Sequence, residues 1–460
     1  MYNYIGQHPE DREMGWSAEV NGVCHDDDNW YFTQNGNLWK FPLKHDLNNT
    51  VKSADPLKGI LKHETSFHLG DIDCYGDFIF VPVTGTGSIK GTISTDVLKT
   101  DRDRTAEMTK INLDKPQIFI FRKKDLAYVR SVRIKRSDNR DFDGMGWLAI
   151  NPNNGLLYTS DHTVSSQISG DSAPIQVYSI GSVINDKEVL TFHSTLSLLD
   201  EYGHYLELSS MQGGCFDDKN YLHIMNGFVT NYKGRDPLKK KLDRYRTGLS
   251  IFKVLEHPLK GGNPKVYRLT HSRQDKGFRF QFDGWGDEPE GVTYWDLDRI
   301  PYDRRPKNIN GQLHAIMLNN AGKKPDDFYF KHYRREPISY FYRVVIQIGN
   351  VDGAGTDAGV FVTLHGALGS SIEYELDDPN KDDFERGSRG VYIIEVNKNI
   401  GNLHHLTIRH NNKNKHAGMY VSTVSVTLLG DSEKTWNFPC NRWLAKDEDD
   451  KAISRVLAAQ

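Results

Sequence analysis

Apolar and polar residues alternate in short runs towards the C-terminus of the chain. The runs VYIIEV at 391–396, HLTIRH at 405–410 and VSVTLL at 424–429 place apolar residues at alternate positions. Such alternation, between turns rich in Gly and Asn, is typical of strands with one buried and one solvated face. Together with similar runs between 342 and 378, the pattern predicts seven or eight strands, which a β-sandwich would accommodate.

A longer pattern repeats over the first 340 residues. Units of strand, turn and strand occur at 18–43, 68–83, 145–161, 211–227 and 288–298, and further apolar strands follow after variable gaps. A meander of about four strands, recurring at intervals of roughly 50–80 residues, is typical of propeller blades. We therefore predict an all-β chain with a β-propeller of about five blades at 1–335. A sixth blade is possible if the insertion at 84–115, otherwise a long loop, or the segment 183–209 hides a degenerate one.

The five units can be aligned over four residues without gaps. The second position is Gly in four units, namely Gly22, Gly146, Gly213 and Gly291, and Ile72 in the other. A residue without a Cβ fits where inner strands crowd around an axis. The fourth position holds three cysteines, Cys24, Cys74 and Cys215. Because one cysteine per blade would spread the thiols around a ring, we expect reduced packing residues rather than disulfide partners.

After residue 340 the order of motifs resembles that of a PLAT (lipoxygenase-homology, LH2) domain. The motifs are GAGTDAGVFVTLHG, SIEYELDDP, FERGS, IGNLHHLTIRHNN and FPCNRWL. The resemblance implies a β-sandwich at 338–445 that docks on a lipid or membrane surface, or on a protein partner, under the control of Ca²⁺. Met419 stands where the family usually carries a Trp, so the aromatic residue of that place is missing here. The polar segment 321–337 would join the two domains, and 446–460 would be a charged C-terminal tail.

The resemblance also implies a set of calcium ligands. By position these are Asp352, the carbonyl of Gly355, the side chain of Thr356, Asp382 and Asp383. Ala417 occupies a place where calcium-binding members can carry an Asp. Acids in facing loops would repel one another unless a cation lay between them. Solvated acidic turns without a cation are the alternative.

The first position of the blade alignment gives a second candidate site. It holds Asn21, Asp71, Met145, Gln212 and Glu290. The starts of inner strands converge at one mouth of a propeller, and the oxygen donors Asn21, Asp71, Gln212 and Glu290 would suit Ca²⁺ better than Zn²⁺. His68 and Asp143 could reach the same mouth. A solvated ring without catalysis is the alternative.

With a metal at that mouth, His68, Asp71 and Glu290 would be the catalytic residues of a hydrolase acting on an ester, lactone or phosphoester. The arrangement is similar, in site architecture only, to that of calcium-centred propeller hydrolases such as the lactonases and alkaline phytases. The chain has no GxSxG, HExxH, P-loop or Rossmann motif that would point to other chemistry.

Composition narrows the choice of partner. Lys and Arg number 58 against 61 Asp and Glu, a net charge of −3, which argues against a nucleic-acid-binding protein. The chain has neither a run of 18 apolar residues nor the features of a signal peptide. We therefore expect a soluble protein, cytoplasmic or secreted without a visible signal peptide, with peripheral attachment to membranes as an alternative.

The leading functional hypothesis is a calcium-dependent binding protein whose propeller presents a ligand-binding face. The alternative is a calcium-dependent hydrolase that the PLAT domain targets to a lipid or membrane-borne substrate. A sugar-binding propeller is the second alternative, with Trp16, Trp30, Trp39 and Trp147 as stacking candidates. The basic segment 233–246 could receive an anionic ligand or lipid headgroups, or be a solvated loop.

Overall fold

The fold is known from a computed structural model of the chain. The structure describes residues 2–11, 20–34, 37–48, 61–63, 67–85, 88–92, 108–112, 114–162, 175–206, 208, 210–227, 248–272, 287–306, 308–319, 327–335, 340–378, 381–414, 416–429 and 434–460. Trp16 and the basic segment 233–246 therefore lie outside the described residues.

The chain divides into two compact units, and each is described by itself. The first unit comprises Met1–Leu198 and Tyr205–Arg335, and the second comprises Leu199–His204 and Glu336–Gln460. The strands of the first unit are β1 (Tyr2–Asp11), β2 (Val20–His25), β3 (Asn29–Gln34), β4 (Asn37–Pro42), β5 (Leu61–His63), β6 (Phe67–Leu69), β7 (Asp73–Tyr75), β8 (Phe78–Gly85), β9 (Ser88–Thr92), β10 (Met108–Asn112), β11 (Gln117–Arg122), β12 (Tyr128–Val132), β13 (Leu148–Ile150), β14 (Leu156–Thr159), β15 (Ile175–Ile180), β16 (Leu190–Leu199), β17 (Met211–Phe216), β18 (Tyr221–Asn226), β19 (Gly248–Lys253), β20 (Lys265–Ser272), β21 (Asp287–Tyr294), β22 (Leu313–Asn319) and β23 (Asp327–Arg335).

Most of these strands form five antiparallel meanders. In order they are β2-β3-β4, then β8-β11-β12 with β6 and β7 on the other side of β8, then β13 to β16, then β17 to β20, and finally β21-β22-β23-β1. The third and fourth meanders join through their last strands, β16 and β20. The last meander is completed by the N-terminal strand, because β1 pairs antiparallel with β23 from Tyr2 opposite Arg335 to Asp11 opposite Phe328.

The first strands of the meanders lie next to one another in a closed ring. The order is β2, β7, β13, β17, β21 and back to β2. Glycines allow this close approach: a Cβ at Gly70 would lie 2.2 Å from the carbonyl oxygen of Gly146, and one at Gly213 would lie 2.3 Å from that of Glu290. An all-β fold is thereby confirmed, and the ring is compatible with the propeller predicted from the sequence.

Two segments of the first unit differ from their expected structure. Strands β9 and β10 lie within 84–115, where the sequence suggests a loop. They form a separate three-stranded sheet in which β9 lies between β10 and β5. Strand β23 occupies most of 321–337, the segment expected to join the domains, and lies between β1 and β22. Its sequence, DFYFKHYRR, buries aromatic side chains on both faces, with Phe328 and Phe330 in one core cluster and Tyr329 and Tyr333 in another. The charged residues of 321–337 hide this strand when only average polarity is considered.

The cysteines also differ from expectation. The Sγ atoms of Cys24 in β2 and Cys74 in β7 lie 3.0 Å apart, because these two inner strands are neighbours in the ring. Both thiols are free in the structure. The expectation that one cysteine per blade keeps the thiols apart is therefore wrong for this pair.

The second unit contains two antiparallel sheets. Its strands are β24 (Tyr340–Ile348), β25 (Val360–Gly366), β26 (Gly369–Ser370), β27 (Tyr374–Leu376), β28 (Arg389–Val396), β29 (Leu403–His410), β30 (Met419–Leu429), β31 (Lys434–Leu444) and β32 (Ser454–Ala458). One sheet has the order β28-β24-β30-β31, and the other has the order β26-β25-β29-β32 with β27 also paired to β25. Val344 and Ile346 of the first sheet share one hydrophobic core with Leu364 and Leu406 of the second, and all four are fully buried.

The C-terminal residues belong to this second unit as a strand. Ser454–Ala458 forms β32, which pairs antiparallel with β29 from His405 opposite Ala458 to Arg409 opposite Ser454. The expected charged tail at 446–460 is thus corrected. Its charges partly neutralise one another, since Arg455 bonds both Asp449 and Asp450.

Helix is scarce in the part of the chain that the structure describes. It is limited to two single turns of 3-10 helix, Leu297–Arg299 and Tyr302–Arg304. Within the described ranges, no helix has the length and apolar character needed to cross a membrane.

Candidate functional site

Asp71 lies at the centre of the ring formed by the first unit and is fully buried. Its Oδ1 accepts hydrogen bonds from the backbone N–H groups of Val23 at 2.9 Å and Ile72 at 3.0 Å. Its Oδ2 accepts from Gly214 at 2.9 Å and Val292 at 3.1 Å. One carboxylate therefore connects three inner strands, β2, β17 and β21, to the segment between β6 and β7.

The backbone of Asp71 connects the third meander to the same centre. Its N–H donates to the carbonyl of Gly146, just before β13, at 2.8 Å. Burial raises the pKa of the Asp71 carboxyl well above its usual value, while the four N–H donors favour the charged form. Both carboxylate oxygens are thus engaged in holding the strands together. The structure gives Asp71 a structural task that the sequence did not suggest.

The ring also shows that the blade alignment is shifted in the second meander. Gly70, rather than Ile72, makes the close approach seen for the other ring glycines. A Cβ added to Gly70 would meet the backbone of Gly146, and the carbonyl of Gly70 lies where a Cβ added to Gly22 would be. Asp71 thus follows a ring glycine, whereas Glu290 precedes one. The two carboxylates do not share a column, because the inner strand of this meander is interrupted between β6 and β7.

The other predicted residues of this mouth are mostly buried polar groups. Gln212 donates from Nε2 to Oε1 of Glu288 at 2.8 Å. Glu290 and Asn21 are buried, and the Nδ2 of Asn21 has no hydrogen-bond partner among the described residues. His68 lies in β6 opposite Thr84 and is half-buried. Their roles as metal ligands or catalytic residues remain predictions.

The tryptophans proposed for sugar stacking are core residues where the structure describes them. Trp30 and Trp147 are fully buried and Trp39 is buried. Trp30 packs edge-on against Trp295 and Phe330, and the Trp147 indole N–H donates to Ser160 Oγ at 3.0 Å. Their faces are therefore not available to a sugar.

Three loops of the second unit lie together beyond the ends of its strands. Loop 1 (349–359) follows β24, loop 2 (described at 377–378 and 381–388) precedes β28, and loop 3 (described at 411–414 and 416–418) precedes β30. Thr356 Oγ1 donates to the carbonyl of Ala417 at 2.9 Å, which ties loop 1 to loop 3. The N–H of Thr356 donates to the carbonyl of Phe384 at 3.3 Å, which ties loop 1 to loop 2.

Loop 2 is anchored by an aromatic side chain. Phe384 has a φ of 61°, a value that costs free energy for a residue other than glycine. Its ring is buried in the core of the unit and stacks on Tyr392 with a centroid distance of 5.7 Å. Anchoring Phe384 inside leaves its neighbour Glu385 at the exposed surface of the loop.

Three exposed acids converge from loops 1 and 2. Asp357, Asp382 and Glu385 each offer a carboxylate oxygen, and these oxygens all lie within 4.8 Å of one another. Loop 3 also contacts loop 1 at this place, since Asn414 Nδ2 donates to the carbonyl of Asp357 at 2.6 Å. Within the described residues this is the one such group of three acids. Asp357 and Glu385 were missed as ligands, although both lie inside the quoted motifs GAGTDAG and FERGS.

The remaining ligands that the sequence predicted have other contacts. Asp352 is almost fully exposed and pairs with Arg386. Asp383 accepts from the N–H of Asp378 and lies 3.5 Å from Lys381 Nζ, and burial raises its pKa. Of the predicted set, the structure brings only Asp382 into the acidic group, while Gly355 lies against loop 2 beside Phe384 and Arg386.

The acidic group fits a calcium ion in its donor chemistry. Carboxylate oxygens are ligands that Ca²⁺ prefers, and backbone carbonyls and waters can complete a shell of 6–8 oxygens. The buried side chain of Thr356 already donates and accepts within the protein, the latter from the N–H of Ala358. Its hydroxyl is therefore a bridge between loops rather than a free ligand.

The matched family confirms the architecture of the second unit. The family model of the PLAT/LH2 domain matches residues 342–457. Those residues form a PLAT domain. The match extends beyond the expected end at 445 and includes most of β32, in agreement with the pairing of that strand.

Curated relatives share this kind of domain over part of their length. Lipoxygenase homology domain-containing protein 1 of Homo sapiens is 35% identical over 158 residues, which are 34% of this chain and 8% of the relative. Polycystin-1-like protein 3 of Homo sapiens is 38% identical over 123 residues, which are 26% of this chain and 7% of the relative. The chain thus matches less than a tenth of the length of either protein.

Among solved structures, that of the coral 8R-lipoxygenase is 24% identical, with a TM-score of 0.23, over 26% of this chain and 17% of that one.

Proposed function

We propose that this protein binds a partner in a calcium-dependent manner through its PLAT domain. The observation that carries the proposal is the convergence of Asp357, Asp382 and Glu385 within 4.8 Å at the exposed ends of two loops. Three carboxylates held so close repel one another in the absence of a cation. A bound Ca²⁺ would remove this repulsion and hold loops 1 and 2 in one arrangement.

The partner in this proposal is a lipid surface or another protein. The relatives in which the PLAT domain recurs include a polycystin-like protein and a lipoxygenase-homology protein, which supports an interaction role rather than chemistry within the domain. Val351, next to Asp352, is an exposed apolar side chain in loop 1, the loop that also carries Asp357. Met419 is fully buried and so supplies no surface anchor.

The first unit would contribute a ligand-binding face in the same protein. Buried polar groups at the starts of its inner strands, including Asn21 and Gln212, support this part of the proposal. We do not extend it to hydrolysis, because both oxygens of Asp71 already accept backbone hydrogen bonds.

Calcium titration of the full-length protein by isothermal calorimetry tests the ion site. We expect saturable binding that EDTA reverses. Asp382→Asn and Asp357→Asn should each weaken the affinity on the order of tenfold or more, since removing even an outer contact of a metal site has effects of that size. Asp352→Asn is the matched control from loop 1, because Asp352 pairs with Arg386 outside the acidic group.

Equal weakening by all three variants would show that general surface charge attracts the ion and would contradict a specific site. Pelleting with vesicles of phosphatidylcholine and phosphatidylserine, with and without calcium, then identifies the partner. Calcium-dependent pelleting that Asp382→Asn abolishes would assign a lipid surface. Intact calcium binding without pelleting would assign a protein partner.

A further inference from the structure

Cys24 and Cys74 are a pair of thiols at the seam between the first two meanders. Their Sγ atoms lie 3.0 Å apart, about one ångström farther than the sulfurs of a disulfide. They belong to neighbouring strands of the inner ring, β2 and β7, rather than to a flexible loop. The ring backbone itself therefore holds the two sulfurs near bonding distance.

The two thiols differ in their surroundings. Cys24 is 1% exposed and packs in an apolar cluster with Tyr31, Leu69 and Ile72, and burial raises the pKa of its thiol well above the usual value. Cys74 lies at the edge of that cluster and is half-buried. A reagent from solvent would thus reach Cys74 first, and Cys24 would be the resolving thiol.

The other cysteines have no such arrangement. Cys215 is buried in β17, and Cys440 lies in β31 of the second unit, where its Sγ donates to the carbonyl of Arg442 at 4.0 Å. All four cysteines are among the described residues, and only Cys24 and Cys74 have their sulfur atoms in contact.

We propose that Cys24 and Cys74 form a reversible disulfide when the protein meets a hydroperoxide. In the first step the Cys74 thiol loses its proton and the thiolate attacks one peroxide oxygen, so that an S–O bond forms and the O–O bond breaks. The leaving oxygen takes up that proton and departs as water or alcohol. In the second step the Cys24 sulfur attacks that of Cys74, an S–S bond forms and the S–O bond breaks. The hydroxide leaves with the Cys24 proton as water. Two thiols are oxidised and one peroxide is reduced.

A disulfide between Cys24 and Cys74 would link two inner strands of the ring covalently. Cys24 follows Val23, whose N–H donates to Asp71, so the bridge would fasten strands that Asp71 already joins. It would also close a loop of about 50 residues in the unfolded chain, which reduces the entropy of the unfolded state. We therefore expect the oxidised first unit to be more stable, and a reducing thiol to reverse the effect.

Peptide mapping of the wild-type protein tests the bridge directly. Each cysteine falls in a different tryptic peptide, at 13–40, 63–90, 188–219 and 435–442. After treatment with hydrogen peroxide, acid quenching and alkylation, we expect the alkylated thiols to fall from four to two. Mass spectrometry should find peptide 13–40 linked to 63–90, and dithiothreitol should separate them.

Variants provide the controls. Cys215→Ser and Cys440→Ser should each still form the bridge and fall from three thiols to one, whereas Cys74→Ser should lose it. Four alkylated thiols in the treated wild-type protein would overturn the proposal, whatever the variants do. So would a link found only between separate molecules on a non-reducing gel.

Discussion

At the scale of single residues, the Asp71 carboxylate joins inner strands at the centre of the ring through backbone hydrogen bonds. A carboxylate has two oxygens with about four acceptor positions, and four backbone N–H groups fill them here. A buried charge is retained when hydrogen bonds offset its lost hydration. The sequence shows an acid in the inner strand, but it cannot show whether the partners are amides or a metal, because those partners lie up to 221 residues away.

The substitution Asp71→Asn tests this assignment. The amide oxygen can still accept two hydrogen bonds, but the amide NH₂ would face two N–H donors and leave them unpaired. Each buried unpaired donor costs about 1–3 kcal/mol, so we expect a loss of at least ~2 kcal/mol in the free energy of unfolding of the first unit. Urea denaturation followed by circular dichroism measures it.

Asp77→Asn is the matched control, because Asp77 is exposed in the turn before β8. We expect that change to alter stability by less than about 0.5 kcal/mol. If the two variants are equally stable, the carboxylate does not hold the ring together.

For the acidic group of the PLAT domain, too, the sequence does not show which side chains come together. The resemblance points to the two loops that carry the acidic group, but position within the motifs favours Asp352 and Asp383 over Asp357 and Glu385. Which acid faces the group depends on contacts that no motif contains: Arg386 pairs with Asp352, Lys381 lies beside Asp383, and the buried ring of Phe384 leaves Glu385 exposed.

At the scale of elements, the alternation of apolar and polar residues identifies strands that have one buried and one solvent-exposed face. Strand β25 alternates buried and partly exposed residues along its whole length, as the sequence predicts. Strand β17, by contrast, is buried at every position, MQGGCF, so it lacks the alternation and is recognised only through the repeat. Strand β32 was missed for another reason. Its sequence, SRVLA, follows a charged segment and carries a single core residue, Leu457.

Leu457 and Val456 provide a matched test of β32 as part of the sandwich. Leu457 is buried against the core, while Val456, its neighbour on the same strand, is 65% exposed. Leu457→Ala should destabilise the PLAT domain by about 2–3 kcal/mol, because a buried methylene-rich side chain is lost. Val456→Ala should cost less than about 0.5 kcal/mol. Equal effects in thermal unfolding would show that 454–458 is a loosely attached tail.

At the scale of the whole molecule, the sequence predicts the all-β class and the PLAT domain, and both are confirmed. The domain signal is strong because its motifs are local and occur in order. The organisation of the first unit is harder to predict, because its ring depends on contacts between residues 48 or more positions apart and one glycine is displaced from the aligned column. The extent of the two domains remains a prediction that solution experiments can test.

The two compact units have separate hydrophobic cores, and we therefore expect two transitions when the full-length protein is heated in a calorimeter. Leu457→Ala identifies the transition of the PLAT domain by lowering it. Calcium at about 100 times its dissociation constant should stabilise that transition by about 2.7 kcal/mol and leave the other in place. Hydrogen peroxide should raise only the other transition, through the bridge between Cys24 and Cys74.

Two variants separate these effects. Asp382→Asn should cancel the calcium shift and keep the peroxide shift, whereas Cys74→Ser should do the reverse. A calcium shift that persists in Asp382→Asn would place the ion elsewhere than the acidic group. A single transition that moves with both reagents would mean that the units unfold together, and the division of the chain into two independently folding domains would then be wrong.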